Sequence, residues 1–315
     1  MQSFMKKLIA LLLTAAFALG VCACGAETGG DSSVSEAESV ESTESAESTE
    51  ESSEESVADV SSKREPRPKD PIRELGEIKA DSVDSFFNNS VFIGYSIMMH
   101  FGRYVGEWRE SVDESIMGNA LFCAGVSMGF TTDRIHTPDT PDNALPLYQG
   151  KAYNFADLPA ATGCDTLYIG LSGYSDLKRA ESAENCVQQA YREAVMGIGR
   201  IRDKNPDLKI VILSSTYNTA IYDALPEARC SNEKVYEYNN MVLNYCNGKG
   251  IDFVDVSTCL TDHRGRFAEE YANDEEYHII KEAYYLWLEE LRAYARAKTE
   301  GAWKNPEEMP TLPAA

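Results

Sequence analysis

Five short apolar runs, separated by helix-like segments, constrain the fold of this chain more than any other feature. Each run is rich in β-branched and aromatic residues and is apolar throughout instead of alternating with polar residues. That pattern is typical of strands that are buried on both faces. The predicted strands are residues 91–94, 120–124, 166–171, 209–213 and 252–256.

Helical patterns lie between or after these runs. Strands that alternate with helices predict a parallel sheet with helices on both faces. We expect Pro206 and Gly248 to end the first two helices. The apolar stripes, with members three or four residues apart along most of their length, are Val187, Ala190, Ala194, Ile198 and Ile201, then Val235, Tyr238, Val242 and Tyr245, then Ile280, Ala283, Trp287, Leu291 and Tyr294.

The first 24 residues predict export and membrane attachment. Lys6 and Lys7 precede an apolar run at 8–21, and the small residue Ala23 stands directly before Cys24. This resembles a bacterial lipoprotein signal with Cys24 as the lipidated residue. An uncleaved anchor is the alternative, but about 14 apolar residues fall short of the ~20 that span a bilayer. We expect an exported protein on the outer face of the bacterial cell membrane.

Residues 25–70 predict a disordered acidic linker. Twelve acidic residues lie between Glu27 and Asp59, with no Lys or Arg before Lys63, which accounts for more than half of the net charge of −22. Like charges repel, and a segment made up mostly of Ser, Glu, Ala, Thr and Val cannot bury a core. The remaining domain, residues 71–304, is moderately acidic, with a tail at 305–315. The absence of a basic face argues against nucleic-acid binding.

Six cysteines lie beyond Cys24. An even number in an exported chain permits disulfides, but several stand within apolar patterns where a free cysteine packs. We expect packing for Cys123 and Cys246. No spacing suits a metal site, and we expect no cofactor. The six are Cys123, Cys164, Cys186, Cys230, Cys246 and Cys259.

Ligands of a parallel sheet bind beyond the carboxyl ends of its strands. This rule selects residues 94–96, 125–129, 172–176 and 214–218. Ser96 directly follows the first strand, but a serine is a poor nucleophile without a base and oxyanion donors. The G-x-S-x-G elbow is absent because position 98 is Met.

A histidine near the end of the domain is the candidate base. The pattern predicts His278 at the start of a helix, with Glu275 and Asp274 three and four residues before it. An upstream carboxylate can accept one ring N–H and hold the other ring nitrogen toward a serine. The spacing is equally compatible with acids that stabilise the first helical turn.

Together these segments resemble the SGNH or GDSL-type esterases and acetylhydrolases. "DSFFNNSVFIGYSIMMHF" is similar to their first block, "DTLYIGLSGYSDL" to their G-x-N-D block, and "EEYHIIKEAYYLWLEELR" to their D-x-x-H block. The resemblance extends over residues 81–294. It implies a three-layer α/β/α sandwich with a flavodoxin-like parallel sheet of five strands.

The resemblance also implies site residues. Ser96 is the expected nucleophile, and its own N–H and that of Gly125 face the oxyanion. His278 is the expected general base. Glu275 stands at the family's aspartate position and is expected to orient the imidazole, with Asp274 as a possible substitute.

Two positions depart from the family pattern. Tyr95 replaces the aspartate before the nucleophile, which helps to fix the turn. Ser175 replaces the oxyanion asparagine, and a hydroxyl is a shorter donor that can rotate away. Losing one oxyanion donor typically costs about 10²- to 10³-fold in rate. Asp176 matches the last residue of that block and is a further possible site residue.

Other residues have weaker claims to the site. His100 and His136 are alternative bases, and His100 is four residues after Ser96 on the predicted helix. His263 is interpreted as a turn residue beside a glycine. Tyr217 and Asn218 follow the fourth strand and are candidates for the substrate cleft, although tyrosines in this chain mostly indicate packing.

The sequence therefore predicts a lipid-anchored ester hydrolase at the cell surface. The expected reaction is removal of O-acetyl groups from a carbohydrate or cell-wall polymer through an acyl-serine intermediate. One alternative is a catalytically impaired lipoprotein that binds carbohydrate or acts as a scaffold. The other is an O-acetyltransferase that uses the same residues.

Overall fold

A parallel five-stranded sheet forms the centre of the protein. The computed structural model describes residues 73–140, 144–171, 173–225 and 230–310. The sheet strands are β1 Ser90–Gly94, β2 Leu121–Phe122, β5 Thr166–Gly170, β6 Lys209–Leu213 and β7 Asp252–Val254. Their spatial order is β2-β1-β5-β6-β7, the flavodoxin-like order. A separate two-stranded hairpin pairs β3 Leu147–Tyr148 with β4 Lys151–Ala152.

All neighbouring strands of the central sheet are parallel. β1 and β5 align over their full length, from Ser90 opposite Thr166 to Gly94 opposite Gly170. The five predicted strands are confirmed, with the pairing of the second strand limited to two residues. Parallel strands of this kind are buried on both faces, and four of the five residues of β5 are buried.

Helices cover both faces of the sheet. On one face, α1 and α8 pack together, and the rings of Phe101 and Trp287 meet at 5.7 Å. On the other face, α2, α4 and α7 pack around α5. The helices are α1 Ser96–Ser111, α2 Phe130–Ile135, α3 Leu158–Thr162, α4 Gly173–Arg179, α5 Cys186–Lys204, α6 Ala220–Asp223, α7 Asn232–Lys249 and α8 Tyr284–Thr299, with 3₁₀ turns at Ser82–Phe87, Thr258–Leu260 and Glu269–Tyr271.

Two predicted helix boundaries are wrong. Helix α7 continues through Gly248 and ends at Lys249, because Gly250 adopts the left-handed conformation (φ 64°) that terminates helices. Helix α8 begins at Tyr284, so Ile280 and His278 precede it. The backbone around His278 is bonded across a loop, as described below, and cannot continue a helix. Helix α5 ends before Pro206 as predicted.

The folded part extends beyond the predicted boundary at residue 304. The Asn305 side chain accepts a hydrogen bond from Phe253 N–H at 2.8 Å and donates to Ile251 O at 2.8 Å. Met309 is fully buried, and its N–H donates to Asn240 Oδ1. Residues 305–310 therefore close the end of the sheet at β7.

Several other expectations concern the ends and the cysteines. The signal, Cys24 and the linker at 25–70 lie outside the described residues. Within the described part, no helix is long and apolar enough to cross a bilayer. All six later cysteines are free thiols, and Cys123 and Cys246 are buried as expected.

Candidate active site

Ser96 lies at the turn between β1 and α1. It is the first residue of the helix, so its N–H has no acceptor within the helix. Gly94 makes this sharp turn possible, because a Cβ there would lie 2.5 Å from Met98 Cβ and 2.8 Å from Gly170 O. The glycine therefore lets the backbone pass between a helix and a neighbouring strand and places Ser96 at the carboxyl edge of the sheet.

His278 contacts the Ser96 hydroxyl directly. Ser96 Oγ and His278 Nε2 are 2.9 Å apart, within hydrogen-bond range. His278 lies in a loop closed by Asn273 N–H, which donates to His278 O at 2.7 Å, and by Ile280 N–H, which donates to Tyr271 O at 2.8 Å. The structure thus brings together two residues that are 182 positions apart.

Asp274 is the carboxylate that meets the histidine. Its Oδ2 pairs with His278 Nδ1, and its Oδ1 accepts the N–H groups of Glu276 at 2.9 Å, Tyr277 at 3.0 Å and His278 at 3.2 Å. Partial burial opposes ionisation of Asp274, but hydrogen bonds from the His278 side chain and from backbone N–H groups outweigh it and lower the pKa.

The expected pairing of Glu275 with His278 is wrong. That expectation assumed a helix, in which residues three apart share a face, whereas the segment is a loop wrapped around Asp274. The Glu275 side chain is exposed. Its backbone serves the site instead, because its carbonyl accepts the Thr219 hydroxyl and the Glu276 carbonyl accepts Thr219 N–H at 2.8 Å.

The expected oxyanion donors do not all reach the site. Gly125 N–H donates to Gly94 O at 3.0 Å and continues the pairing of β1 with β2, so it is not available to an oxyanion. Ser175 is buried in α4 and lines the same cavity as Ser96. The Ser96 N–H and the Ser175 hydroxyl remain as candidates.

Tyr95 and Asp176 have supporting positions. The Tyr95 hydroxyl hydrogen-bonds Thr216 Oγ1 at 2.6 Å, which ties the nucleophile turn to the end of β6. The Asp176 carboxylate accepts Phe130 N–H at 3.0 Å and Thr131 N–H at 2.9 Å, and so caps α2. Burial raises the pKa of Asp176, although these N–H groups oppose that effect. Asp176 is not in the cavity around Ser96.

A cavity of about 350 Å³ opens beside the Ser96–His278 pair. Three of the described tyrosines lie in its wall, and two of them, Tyr174 and Tyr277, were not predicted from the sequence. The Tyr277 ring lies 4.2 Å from that of Tyr174 and 4.6 Å from that of His278. Their positions next to Ser175 and His278 were the available signal. The lining consists of Tyr95, Ser96, Met99, His100, Val126, Ser127, Tyr174, Ser175, Lys178, Arg179, Tyr277 and His278.

The other histidines differ in their distance from the site. The His100 ring is 5.8 Å from that of His278. Burial, then the positive charge of Arg103 and the proximity of His278, lower the pKa of His100. His136 lies elsewhere, where its Nδ1 accepts Ala144 N–H at 3.4 Å, and His263 lies in the turn closed by Asp262 and Arg266.

Tyr217 and Asn218 belong to the packed interior and do not line this cavity. Asn218 N–H donates to Asn232 Oδ1 at 2.7 Å, and Asn218 O accepts from Asn232 Nδ2 at 3.0 Å. This pair fixes the loop after β6. Asn218 also accepts Phe267 N–H at 3.0 Å, so the loop is tied to the segment before the histidine.

The model of the GDSL-like lipase/acylhydrolase family matches residues 129–286, which is half of the chain. The chain belongs to the GDSL-like lipase/acylhydrolase family. The matched region includes Asp274 and His278, while Ser96 precedes it. This is a family of serine esterases and acylhydrolases, which agrees with the resemblance seen in the sequence.

Solved structures of GDSL-like acylhydrolases and carbohydrate esterases are similar to this chain. A GDSL-like lipase from Bacteroides thetaiotaomicron is 10% identical, with 66% of this chain and 88% of that chain covered and a TM-score of 0.44. An acetylxylan esterase mutant from Geobacillus stearothermophilus is 11% identical, with 64% of this chain and 91% of that chain covered and a TM-score of 0.43. A family two carbohydrate esterase mutant from Clostridium thermocellum is 17% identical, with 68% of this chain and 64% of that chain covered and a TM-score of 0.42. No curated protein sequence matches this acylhydrolase-family chain.

Proposed function

We propose that this protein is a serine esterase that removes O-acetyl groups from a carbohydrate or cell-wall polymer through an acyl-serine intermediate. The chain of contacts Ser96–His278–Asp274 carries the proposal. A nucleophile hydroxyl, a base in contact with it, and a carboxylate that orients the base are the three parts that serine acyl transfer requires.

Each contact has a definite chemical role. With Nδ1–H donated to Asp274, His278 presents an unprotonated Nε2 to the Ser96 hydroxyl. Ser96 Oγ attacks the acetyl carbonyl carbon while Nε2 takes the hydroxyl proton. The tetrahedral intermediate collapses as the bond from the carbonyl carbon to the sugar oxygen breaks. His278 returns the proton to that oxygen, which leaves acetyl-Ser96 and a free sugar hydroxyl.

Water completes the cycle by the same route. His278 Nε2 removes a proton from water as the water oxygen attacks the acetyl carbonyl carbon. The bond between that carbon and Ser96 Oγ then breaks, Oγ regains the proton, and acetate leaves. Asp274 remains ionised throughout and stabilises the imidazolium that forms in each half-reaction.

The oxyanion requires donors near Ser96. We assign the Ser96 N–H, at the positive end of α1, and the Ser175 hydroxyl to this role. A hydroxyl can rotate, so Ser175 is a less fixed donor than the asparagine of the family pattern. This predicts a turnover slower than that of a site with three fixed donors.

The proposed location is supported by the predicted lipid attachment, and the proposed polymer substrate by the shape and lining of the cavity. The predicted lipid attachment at Cys24 and the acidic linker would hold the domain outside the cell, where acetylated polymers occur as bulky substrates. The cavity is partly open to solvent and has tyrosine rings in its wall, and amphipathic tyrosine rings present an apolar face to a sugar.

Two other functions use the same fold. A catalytically impaired carbohydrate-binding or scaffold lipoprotein is favoured by Tyr95 and Ser175 in the altered blocks. An O-acetyltransferase would pass the acetyl group from Ser96 to an acceptor hydroxyl instead of water. The intact contacts of Ser96, His278 and Asp274 favour a working acyl-transfer site over the impaired protein.

Product analysis separates these functions. The protein would be incubated with O-acetylated oligosaccharides, with and without an unacetylated acceptor, and the released acetate and the acetylated products would be quantified. Hydrolysis predicts acetate release that Ser96→Ala abolishes, whereas transfer predicts acetylated acceptor. Release unaffected by Ser96→Ala, or no reaction beyond background, would overturn the esterase proposal.

A further inference from the structure

The charge of the cavity is opposite to that of the chain. The chain has 51 acidic and 29 basic residues. None of the described residues that line the cavity beside Ser96 carries a carboxylate, whereas Lys178 and Arg179 are both among them. The Asp274 carboxylate is paired with His278. The described wall of this cavity therefore contributes cations and no carboxylate on an acidic protein, while Arg179 also lines a second cavity with Asp176, Glu181 and Glu193.

The two cations are placed by the same helix as Ser175. All three lie on α4 (Gly173–Arg179). Lys178 Nζ lies 4.2 Å from the ring centre of Tyr174 and 5.4 Å from that of Tyr222, within cation–π range. Arg179 Nη1 donates to Ser175 O at 3.2 Å. These contacts direct both side chains to the part of the cavity that contains the candidate oxyanion donor.

Aromatic rings and cations stand side by side in this wall. Tyr277 packs between His278 and Tyr174, and Lys178 lies against Tyr174. A sugar ring placed on the tyrosines would have its acetyl group near Ser96 and its neighbouring substituents near Lys178 and Arg179. Cations bind carboxylate and phosphate oxygens by charge-assisted hydrogen bonds.

We propose that this site selects acyl esters on an anionic polymer, with Lys178 and Arg179 binding a carboxylate or phosphodiester group beside the acylated sugar. The substrate class deepens the esterase proposal and rests on it. Both cations are exposed, so each contributes modestly and in a salt-dependent manner. Their effect is on binding and steering of the polymer and not on the chemical step.

A purely structural role makes a different prediction. Lys178 and Arg179 are in the last turn of α4, where cations stabilise the carboxyl end of a helix. In that case their replacement would lower the stability of the helix and affect neutral and anionic substrates equally. Discrimination between substrates is therefore the decisive quantity.

The experiment compares three acetylated oligomers of equal length. They are a neutral xylan fragment, a polygalacturonate fragment and a polyol phosphate fragment. The variants are Lys178→Gln, Arg179→Gln and the double variant, with Lys178→Arg as the conservative replacement. Lys249→Gln is the matched control, because it removes the same charge from an exposed residue at the carboxyl end of α7, before β7 begins.

The proposal expects kcat/KM on at least one anionic oligomer to exceed that on the neutral one by about tenfold, the scale of one charge-assisted contact. The double variant should remove this preference, because KM should rise more for the anionic oligomer than for the neutral one. Lys178→Arg should retain most of the preference for the anionic oligomer, and Lys249→Gln should retain all of it. The preferred anionic oligomer identifies the source of the charge as uronate or phosphodiester.

Measuring how tightly the oligomers bind to an inactive variant tests the proposal independently of turnover. Affinities of the same oligomers for Ser96→Ala protein would be measured by calorimetry at 20 and 300 mM salt. A preference for an anionic oligomer that weakens with salt and is lost in the double variant supports the proposal, even if the esterase proposal fails. Equal affinity for neutral and anionic oligomers, or a preference that the double variant retains, overturns it.

Discussion

The nucleophile turn and the histidine loop meet at one hydrogen bond but are built in opposite ways. At the nucleophile turn, Gly94 and Ser96 are fixed by a strand that ends and a helix that begins. In the histidine loop, residues 273–280, the side chain of Asp274 bonds to His278. Thr219, 56 positions before Glu275, bonds to the loop backbone at Glu275 and Glu276. One region is specified mainly by local sequence, and the other by side chains and distant backbone.

This difference explains why one half of the site was easier to predict. The pattern of a buried strand, a glycine and an amphipathic helix is local, and it located Ser96 correctly at the sheet edge. The acidic segment before His278 has the composition of a helix start, but Asp274 accepts three successive N–H groups and closes a turn instead. Short polar side chains that bond to nearby backbone compete with helices in this way.

The largest expected effect is the loss of kcat when the contact between Asp274 and His278 in the histidine loop is removed. Asp274→Asn should lower kcat by about 10²- to 10⁴-fold, because the amide cannot stabilise the imidazolium or enforce the same tautomer. Glu275→Gln is the matched control, since its side chain is exposed and away from the ring, and should change kcat less than about twofold. Steady-state assays on a small acetyl ester measure both. Comparable losses in the two variants would contradict the assignment of Asp274.

Breaking the nucleophile turn should affect stability as well as activity. In Gly94→Ala the added Cβ meets Met98 Cβ at 2.5 Å and the Gly170 carbonyl at 2.8 Å, so we expect a loss of about 1–3 kcal/mol in the free energy of unfolding. Denaturant titration measures it. Gly106→Ala, on helix α1 after the turn and with open space around it, is the control and should not be destabilised. Equal stability of both variants would show that the turn tolerates a side chain.

A smaller effect should follow from releasing the backbone support of the loop. Thr219→Val keeps the shape of the side chain but removes the hydroxyl that bonds Glu275 O. One neutral hydrogen bond contributes about 0.5–1.5 kcal/mol, so kcat should fall several-fold through misplacement of His278. Thr219→Ser, which retains the hydroxyl, should recover activity. A valine variant with wild-type kcat would show that this contact does not position the loop.

The smallest effect concerns acid stability. Because the pKa of Asp274 is lower in the folded protein, its ionised form contributes stability above its unfolded pKa of about 4, and this is lost as pH falls through the folded pKa. Asp274→Asn should therefore melt at a lower temperature than wild type at pH 6, with the difference narrowing below about pH 4. A difference in melting temperature that is constant from pH 6 to pH 3 would contradict the assigned hydrogen bonds.

The fold and the site could be predicted from the sequence to different degrees. Continuous apolar strands and stripes such as Val187 to Ile201 define the parallel sheet and its helices, because they record burial directly. The engagement of Gly125 N–H by Gly94 O and the tyrosine wall at Tyr174 and Tyr277 depend on how strands and loops meet in space. No local pattern records such contacts, so these features required the structure.

Covalent trapping of Ser96 tests the central claim most directly. A fluorophosphonate should react with the Ser96 hydroxyl, and peptide mass spectrometry should locate one adduct on the peptide that contains it. Ser96→Ala and His278→Ala should each abolish the adduct, while Glu275→Gln should retain it at the wild-type rate. An adduct on another residue would contradict a nucleophile at Ser96 activated by His278. So would a wild-type protein that forms no adduct, as is expected for His278→Ala.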